Sequence, residues 1–389
     1  MDLLIFTNTL ASGGTERVAA TLANYWTRRG WRVVLATLAP ASEDFYVLDS
    51  QVERVALDLA RPSAGALDAL RQNLRRIRAL RRVLVERRPA VALSMMSTPN
   101  VLLAAAARGL PGLCAIGSEH CYPPHQPLGR VWAALCHRAY GRLDAVVALT
   151  RECAAWIRTH SDADLVPVIP NPAPWPLPPQ APRLAPEASC ASGRRILLAV
   201  GRLEKVKNLE LLIGAFAQLA ARHTGWDLVI VGEGSERAFL EQTAGALLAS
   251  GRVRLPGQAG NMAEWYARAD LYAMSSRSEG FPNSLAEALA HGLPAVSVDC
   301  DTGPRDIVRH GVDGLLVPQG DPAALVRALD RVMGDDGLRG MYARRARDAR
   351  ERFSLERIGG MWETLFRELS GPRRVRAALG RQLRGRLEP

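Results

Sequence analysis

Short, unbroken apolar runs alternate along this chain with longer segments in which apolar residues recur every three or four positions. The first kind reads as buried strands and the second as helices packed by one face. In the first half the expected strands are Leu3 to Thr7, Arg32 to Leu38, Ala90 to Ser94, Leu113 to Gly117, Ala145 to Leu149 and Val166 to Ile169, with helices at Thr15 to Arg29 and Leu67 to Arg88. In the second half strands are expected at Ile196 to Val200, Asp227 to Val231, Val253 to Leu255, Leu271 to Ala273, Ala295 to Val298 and Leu315 to Val317. Strands that alternate with helices imply an α/β fold whose parallel sheets are covered on both sides.

Between the two blocks, prolines crowd the sequence (Pro170, Pro172, Pro174, Pro176, Pro178, Pro179, Pro182), a stretch that suits neither helix nor central strand. The expected organisation is an N-terminal domain over 1–170, a Pro-rich linker over 171–194 and a C-terminal domain over 195–350. A final helix and basic tail over 351–389 follow. A length of 389 residues agrees with two doubly wound domains facing a central cleft, with ligands at the C-terminal ends of the strands.

Charge and apolar content narrow the function classes. The longest uncharged apolar run, Val101 to Ala107, falls far short of the ~20 residues that span a bilayer. The N-terminal run lacks a basic leader and reads as a first strand, which gives a cytoplasmic expectation. Six cysteines form no Cys-x-x-Cys and are expected as reduced structural thiols. The net charge of +11 is concentrated in residues 71–88, with eight Arg and one Glu, and residues 371–389, with six Arg and one Glu. Leu74, Ile77, Leu80 and Leu84 give the first segment an apolar stripe between arginines. Such a helix suits an anionic membrane surface, or simply packs on its own sheet with a solvated basic face. Nucleic acid is not expected, since few aromatics interleave the arginines to stack bases.

Five places carry candidate chemistry. Gly13 and Gly14 stand between the first strand and first helix, where backbone amides can approach a phosphate. Arg202 and Lys207 follow the first strand of the second domain, offering a forked donor and a point charge to a diphosphate. Glu279 lies in the loop Glu279-Gly280-Phe281-Pro282-Asn283-Ser284, whose amides open a helix, and Glu287 follows Glu279 with seven residues between them. Ser284 to Glu287 also matches a helix capping box. His120 ends Ser118-Glu119-His120 after a buried strand. Gly232-Glu-Gly234-Ser-Glu-Arg237 has Arg where a dinucleotide fingerprint has its third Gly, which argues against a nicotinamide enzyme. Asp162-Ala-Asp164 and Asp299-Cys-Asp301 match a metal-holding pattern of another fold, but nineteen Asp make one chance match unsurprising. No metal and no cofactor are expected.

At these residues the chain resembles the GT-B glycosyltransferases of the retaining family 4. The residues that carry it are Ser12-Gly13-Gly14-Thr15-Glu16-Arg17, Ser118-Glu119-His120, Gly201-Arg202-Leu203 with Lys207, Gly232-Glu233-Gly234, Glu279 through Glu287, and Asp313-Gly314-Leu315-Leu316-Val317. The opening motif and the Ser-Glu-His are most similar to members extending polyprenyl-diphosphate-linked glycans. The resemblance implies a nucleotide-sugar donor, UDP-linked, and a lipid-linked or polysaccharide acceptor in bacterial surface-glycan assembly. It implies that Arg202 and Lys207 hold the diphosphate, Glu279 the sugar and Glu287 the ribose. Gly14 would lie against a phosphate and His120 beside the sugar, positioning rather than attacking. Same-face attack, with the leaving phosphate helping to deprotonate the acceptor, goes with retention. A last helix around Leu355 to Leu369 would brace the N-terminal domain. Asp306 departs from the family's usual Glu and leaves its helix-start role intact. The rival readings are a nucleotide-sugar epimerase or hydrolase on the same scaffold, and a non-enzymatic basic adaptor.

Overall fold

The computed structural model describes residues 1–125, 129–190 and 192–370. They form two units, Met1–Pro172 together with the segment from Leu355 onward, and Ala173–Ser354. The first holds strands β1 (Asp2–Thr7), β2 (Arg32–Thr37), β3 (Glu53–Ala56), β4 (Val91–Met95), β5 (Cys114–Glu119) and β6 (Ala145–Ala148). They make one parallel sheet in the order β3-β2-β1-β4-β5-β6. The second holds β7 (Arg195–Val200), β8 (Trp226–Val231), β9 (Val253–Gly257), β10 (Leu271–Met274), β11 (Ala295–Asp299) and β12 (Gly314–Pro318). Its sheet, in the order β12-β11-β10-β7-β8-β9, is also parallel. Each is a Rossmann-like doubly wound sheet.

The strand orders decide where chemistry can sit. Chain direction across the sheet reverses between β1 and β4 in one unit and between β7 and β10 in the other. At such a reversal the connections leave to opposite sides, so a crevice opens beyond the C-terminal strand ends. In the second unit the residues following β7 and β10 are the segments of Arg202 and Lys207 and of Glu279.

Helices cover both faces, which is why the central strands are unbroken apolar runs. One face of the first sheet packs Leu22, Trp26, Ile358, Trp362, Leu365 and Phe366 in a single core, so helix Leu355–Ser370 lies against helix Gly14–Arg28. Gly359 is required there, because a Cβ would collide with the ring of Tyr25. The opposite face buries Leu80 and Leu84 of helix Ala66–Arg87, with Leu102 and Leu103. Of the two readings of this stripe, packing on its own sheet describes most of it, with Ile77 packed against the same core and Leu74 exposed.

Two expectations about strands are corrected. β3 is an additional edge strand, four residues long and at most half-buried. Val166 to Ile169 is not a strand of the sheet. It runs beside β6 through Val146 N to Leu165 O, Ala148 N to Pro167 O and Ile169 N to Ala148 O, but leaves only an isolated bridge at Val168. Pro167 has no N–H to give a ladder.

The proline-rich stretch is fastened to the second unit rather than hanging free. Gly260 N donates to Pro182 O (2.6 Å), and the side-chain amide of Asn261 bonds both the N–H and the carbonyl of Leu184 (3.0 Å each). The ring of Trp175 carries the Arg350 guanidinium 3.5 Å from its centroid. All six cysteines are free thiols. Among the described residues no helix is long and apolar enough to cross a membrane. The basic tail expected over 371–389 lies outside the described residues.

Candidate active site

The crevice end of the second sheet is assembled from three loops. After β7 the chain turns through Gly201, with the stem of Lys207 alongside and its Cε 3.4 Å from where a Cβ would stand. Gly232, at φ +150°, and Gly234 have backbone so close to the carbonyls of Gly201 and Leu203 that a Cβ on either would clash. The Gly-Glu-Gly motif thus serves to let two turns nest. Leu203 N bonds Glu233 O (2.9 Å) and Glu236 N bonds Leu203 O (2.9 Å) across the same contact.

Lys207 and Glu279 meet here: Nζ lies 2.6 Å from Oε1, with the side chains 21% and 10% exposed. The Ser276 hydroxyl donates to the same oxygen at 2.6 Å. Thr302 fixes the loop beyond by donating to the Glu279 carbonyl (2.6 Å). Arg202 stands two residues past the end of β7, 61% exposed and paired with Glu204 at 2.8 Å. Both candidate phosphate-binding cations therefore already have carboxylate partners.

Phe281 and Pro282 are buried. The ring of Phe281 packs edge-on against Phe353 at 5.6 Å, so these side chains anchor the loop, and what Gly280 to Ser284 can offer is backbone. Helix Asn283–Ala290 begins without a side-chain cap. The capping box is not formed: Ser284 Oγ donates to Val200 O (3.3 Å) and accepts from Tyr272 (2.8 Å), while Glu287 accepts from Tyr266 (3.0 Å). Glu287 is only 2% exposed. Burial raises the Tyr272 phenol well above its ordinary value, with the nearby Glu279 and Glu287 adding to the shift. Ser276 and Tyr266 hold the two acids, yet neither stands out in the sequence; only Ser276, three residues before Glu279, had a positional clue.

At the first sheet, Gly13 is the extended N-cap of helix Gly14–Arg28, and its carbonyl accepts from Tyr46 (2.9 Å). The Glu16 carboxylate folds back over Gly13, where a Cβ would sit. Thr15 reaches across the strand-order reversal to Met96 Sδ (3.4 Å), next to the residues that open helix Ser97–Ala106. β5 runs on through Ser118 and Glu119, so His120 is the first residue beyond it. Its Nε2 lies 3.1 Å from Ser118 Oγ, and Nδ1 is buried with no hydrogen-bond partner. Burial holds the His120 imidazole down at about 3, so it is neutral near pH 7. Glu119 is fully buried, accepting from Ser97 (2.8 Å) and Tyr140 (2.6 Å), and burial pushes its carboxyl up against the pull of those bonds.

Other motif residues are structural. Asp313 is fully buried under Arg309 (2.7 Å) and Arg352 (3.3 Å). Asp306 sits in the first turn of helix Pro304–Ile307. Asp299 pairs with Arg305 (3.0 Å), and Asp162 lies 3.2 Å from His137. Among the described residues no group of three or more His, Cys, Asp or Glu is arranged to hold a metal.

Comparison with known proteins agrees with this layout. The family model described as Glycosyltransferase Family 4 matches residues 12–174, and that described as Glycosyl transferases group 1 matches residues 184–349. An exopolysaccharide phosphotransferase of Streptomyces coelicolor is 35% identical over 289 residues, 72% of this chain and 29% of that protein's length. A Campylobacter jejuni α-1,4-N-acetyl-D-galactosaminyltransferase acting on an undecaprenyl-diphosphate-linked glycan is 27% identical over 374 residues, 95% of this chain and 99% of that one. The structure of Anabaena HepE in complex with UDP superposes with a TM-score of 0.74 at 20% identity, over 94% of this chain and 99% of that one. Two matched domains in this order, on two sheets of this topology, make the chain a member of the family 4 glycosyltransferases with the GT-B fold.

Proposed function

We propose that the chain is a retaining, metal-independent glycosyltransferase that takes a sugar from a UDP-linked donor. Its acceptor is a polyprenyl-diphosphate-linked or polysaccharide glycan of bacterial surface-glycan assembly. The observation that carries this reading is the meeting of Lys207 and Glu279 at the strand-order reversal of the second sheet, with Arg202 beside the same turn. The Campylobacter relative and the UDP complex support the acceptor and donor classes.

In this reaction the bond from the anomeric carbon to the diphosphate oxygen breaks and the acceptor oxygen bonds to that carbon on the same face. The acceptor's proton passes to the departing phosphate oxygen. Arg202, Lys207 and the amides of Gly280, Phe281, Asn283 and Ser284 stabilise the charge that grows on the leaving group, as fixed donors aimed at developing charge do. Glu279, released from Lys207, takes sugar hydroxyls, and Glu287 the ribose. Gly13 and Gly14 offer amides to a phosphate once Glu16 swings aside. His120, neutral and with Nδ1 unpartnered, positions the sugar by hydrogen bonding rather than by proton transfer.

A panel of UDP- and GDP-sugars tests the reading. A ligand at a hundred times its Kd adds about 2.7 kcal/mol, so the right nucleotide should raise the melting temperature by about 5–10 °C. No stabilisation by any member, or conversion of donor sugar without acceptor, overturns it, the latter in favour of an epimerase.

The reading includes work at an anionic membrane surface, through residues 71–88 and 371–389 on the cytoplasmic face. Support comes from two adjacent rows on helix Ala66–Arg87. Leu70 and Leu74 form one, and further along the helix this row turns inward, with Ile77 packed on the core and Arg81 bonding the carbonyls of Ala106 (2.8 Å) and Arg108 (2.7 Å). Arg71, Arg75, Arg78 and Arg82 form the other and are all exposed. Leu67, Leu70 and Leu74 are 76%, 59% and 41% exposed. Leucines beside arginines suit a lipid interface rather than bulk water. Each Arg near an anionic leaflet adds about 1 kcal/mol, so replacing Arg75 and Arg78 together with Gln should weaken binding to phosphatidylglycerol vesicles about 30-fold. Flotation with the full chain checks this, and equal binding by the variant would remove the helix from the membrane reading.

A further inference from the structure

The loop that carries Glu279 also grips the turn that carries Lys207, residue by residue. Arg277 N donates to Val206 O (2.8 Å), Ser275 Oγ to Lys207 O (3.0 Å), and Arg277 Nη2 to Asn208 Oδ1 (3.1 Å). The same guanidinium nitrogen reaches Glu210 Oε1 at 2.7 Å. On its other side, Gln319 Nε2 donates to the Arg277 carbonyl (2.8 Å).

Asn208 is the residue these contacts bear on most. It is left-handed, at φ +51°, and joins the 3₁₀ turn Lys205–Lys207 to helix Leu209–Leu219. An Asn at a helix N-cap ordinarily accepts a bond from the helix's own amides, but here the side chain makes no such cap and accepts from Arg277 instead. Asn tolerates the left-handed conformation better than other residues with a Cβ, and a contact that holds its side chain fixes that conformation in place. Arg277 supplies such a constraint one residue beyond Lys207.

We propose that Arg277 is a positioning residue for Lys207. Its guanidinium fixes Asn208 and Glu210, and so sets where Lys207 is presented to a diphosphate beside Glu279. The inference rests on the reading that Lys207 binds that diphosphate. An ion pair whose members are 58% and 31% exposed adds little to global stability. Its loss should therefore show in ligand affinity rather than in folding.

The full chain is titrated calorimetrically with UDP, with GDP as the second probe. Arg277→Ala should weaken binding about fivefold, the scale of a partly exposed charged hydrogen bond, with the melting temperature within about 2 °C. Arg277→Lys should recover part of the loss, because an ammonium can still reach Glu210. In a Lys207→Ala background the Arg277→Ala effect should shrink below twofold, since the residue through which it acts is gone. The inference is overturned by unchanged affinity, by an undiminished fivefold loss without Lys207, or by affinity and melting temperature falling together. Should Lys207→Ala itself leave affinity unchanged, or neither nucleotide bind, the underlying reading fails first and takes this one with it.

Discussion

Lys207→Ala is expected to lower kcat/KM about 10²- to 10³-fold, the usual cost of removing a fixed donor from developing negative charge. The loss has two sources. The diphosphate forfeits a point charge, and Glu279 keeps only the Ser276 hydroxyl where it now has Lys207 as well. Lys207→Arg should not restore the rate, because a planar fork does not reproduce the compact ammonium that meets Glu279 at 2.6 Å. Folding should change little, since the lysine is part-exposed. Steady-state kinetics with the donor identified by thermal stabilisation make the check. A variant within threefold of the wild type would end the assignment of Lys207 to the diphosphate.

Trp362→Ala should destabilise the first domain by about 3–5 kcal/mol, the range for removing a large buried aromatic. Trp362 is 2% exposed and lies 5.7 Å from Phe366, which in turn meets Trp26 at 5.4 Å and Trp31 at 6.2 Å. The hole would open at the junction of chain segments more than three hundred residues apart in sequence. Denaturant unfolding should show an earlier loss of the first domain, and Trp362→Phe should recover most of it. A loss below about 1 kcal/mol would mean that this helix is dispensable to the core.

Periodicity found both sheets because central parallel strands must be apolar throughout: β1, β4, β7 and β10 are buried along nearly their whole length. β3 escaped because an edge strand such as Glu53-Arg54-Val55-Ala56 faces water and leaves no apolar run. Val166 to Ile169 deceived for the opposite reason, being apolar and extended but deprived by Pro167 of a ladder donor. On helix Ala66–Arg87 a single apolar stripe was visible in the sequence. Two directions of apolar side chain were present, and only packing distinguishes the buried Leu80 and Leu84 from the exposed Leu67 and Leu70. The Lys207–Glu279 meeting was legible in outline, since both segments follow strands at a crevice, and their contact needed the strand order. The partners were hidden. Ser284-Leu-Ala-Glu287 has the form of a cap, and nothing local in the chain announces that Tyr266 and Tyr272 will claim those side chains instead.

Because Lys207 and Arg202 are each already matched with an acid, the unliganded edge displays little bare positive charge to passing anions. A visitor with one negative group could at best exchange one partner for another, a swap close to neutral. On the proposed reading, a pyrophosphate bridging both cations would displace two acids at once and free Glu279 for the hydroxyls that arrive attached to it. If these two cations hold the donor as proposed, the arrangement would favour nucleoside diphosphates over monophosphates before any feature of base or sugar is consulted.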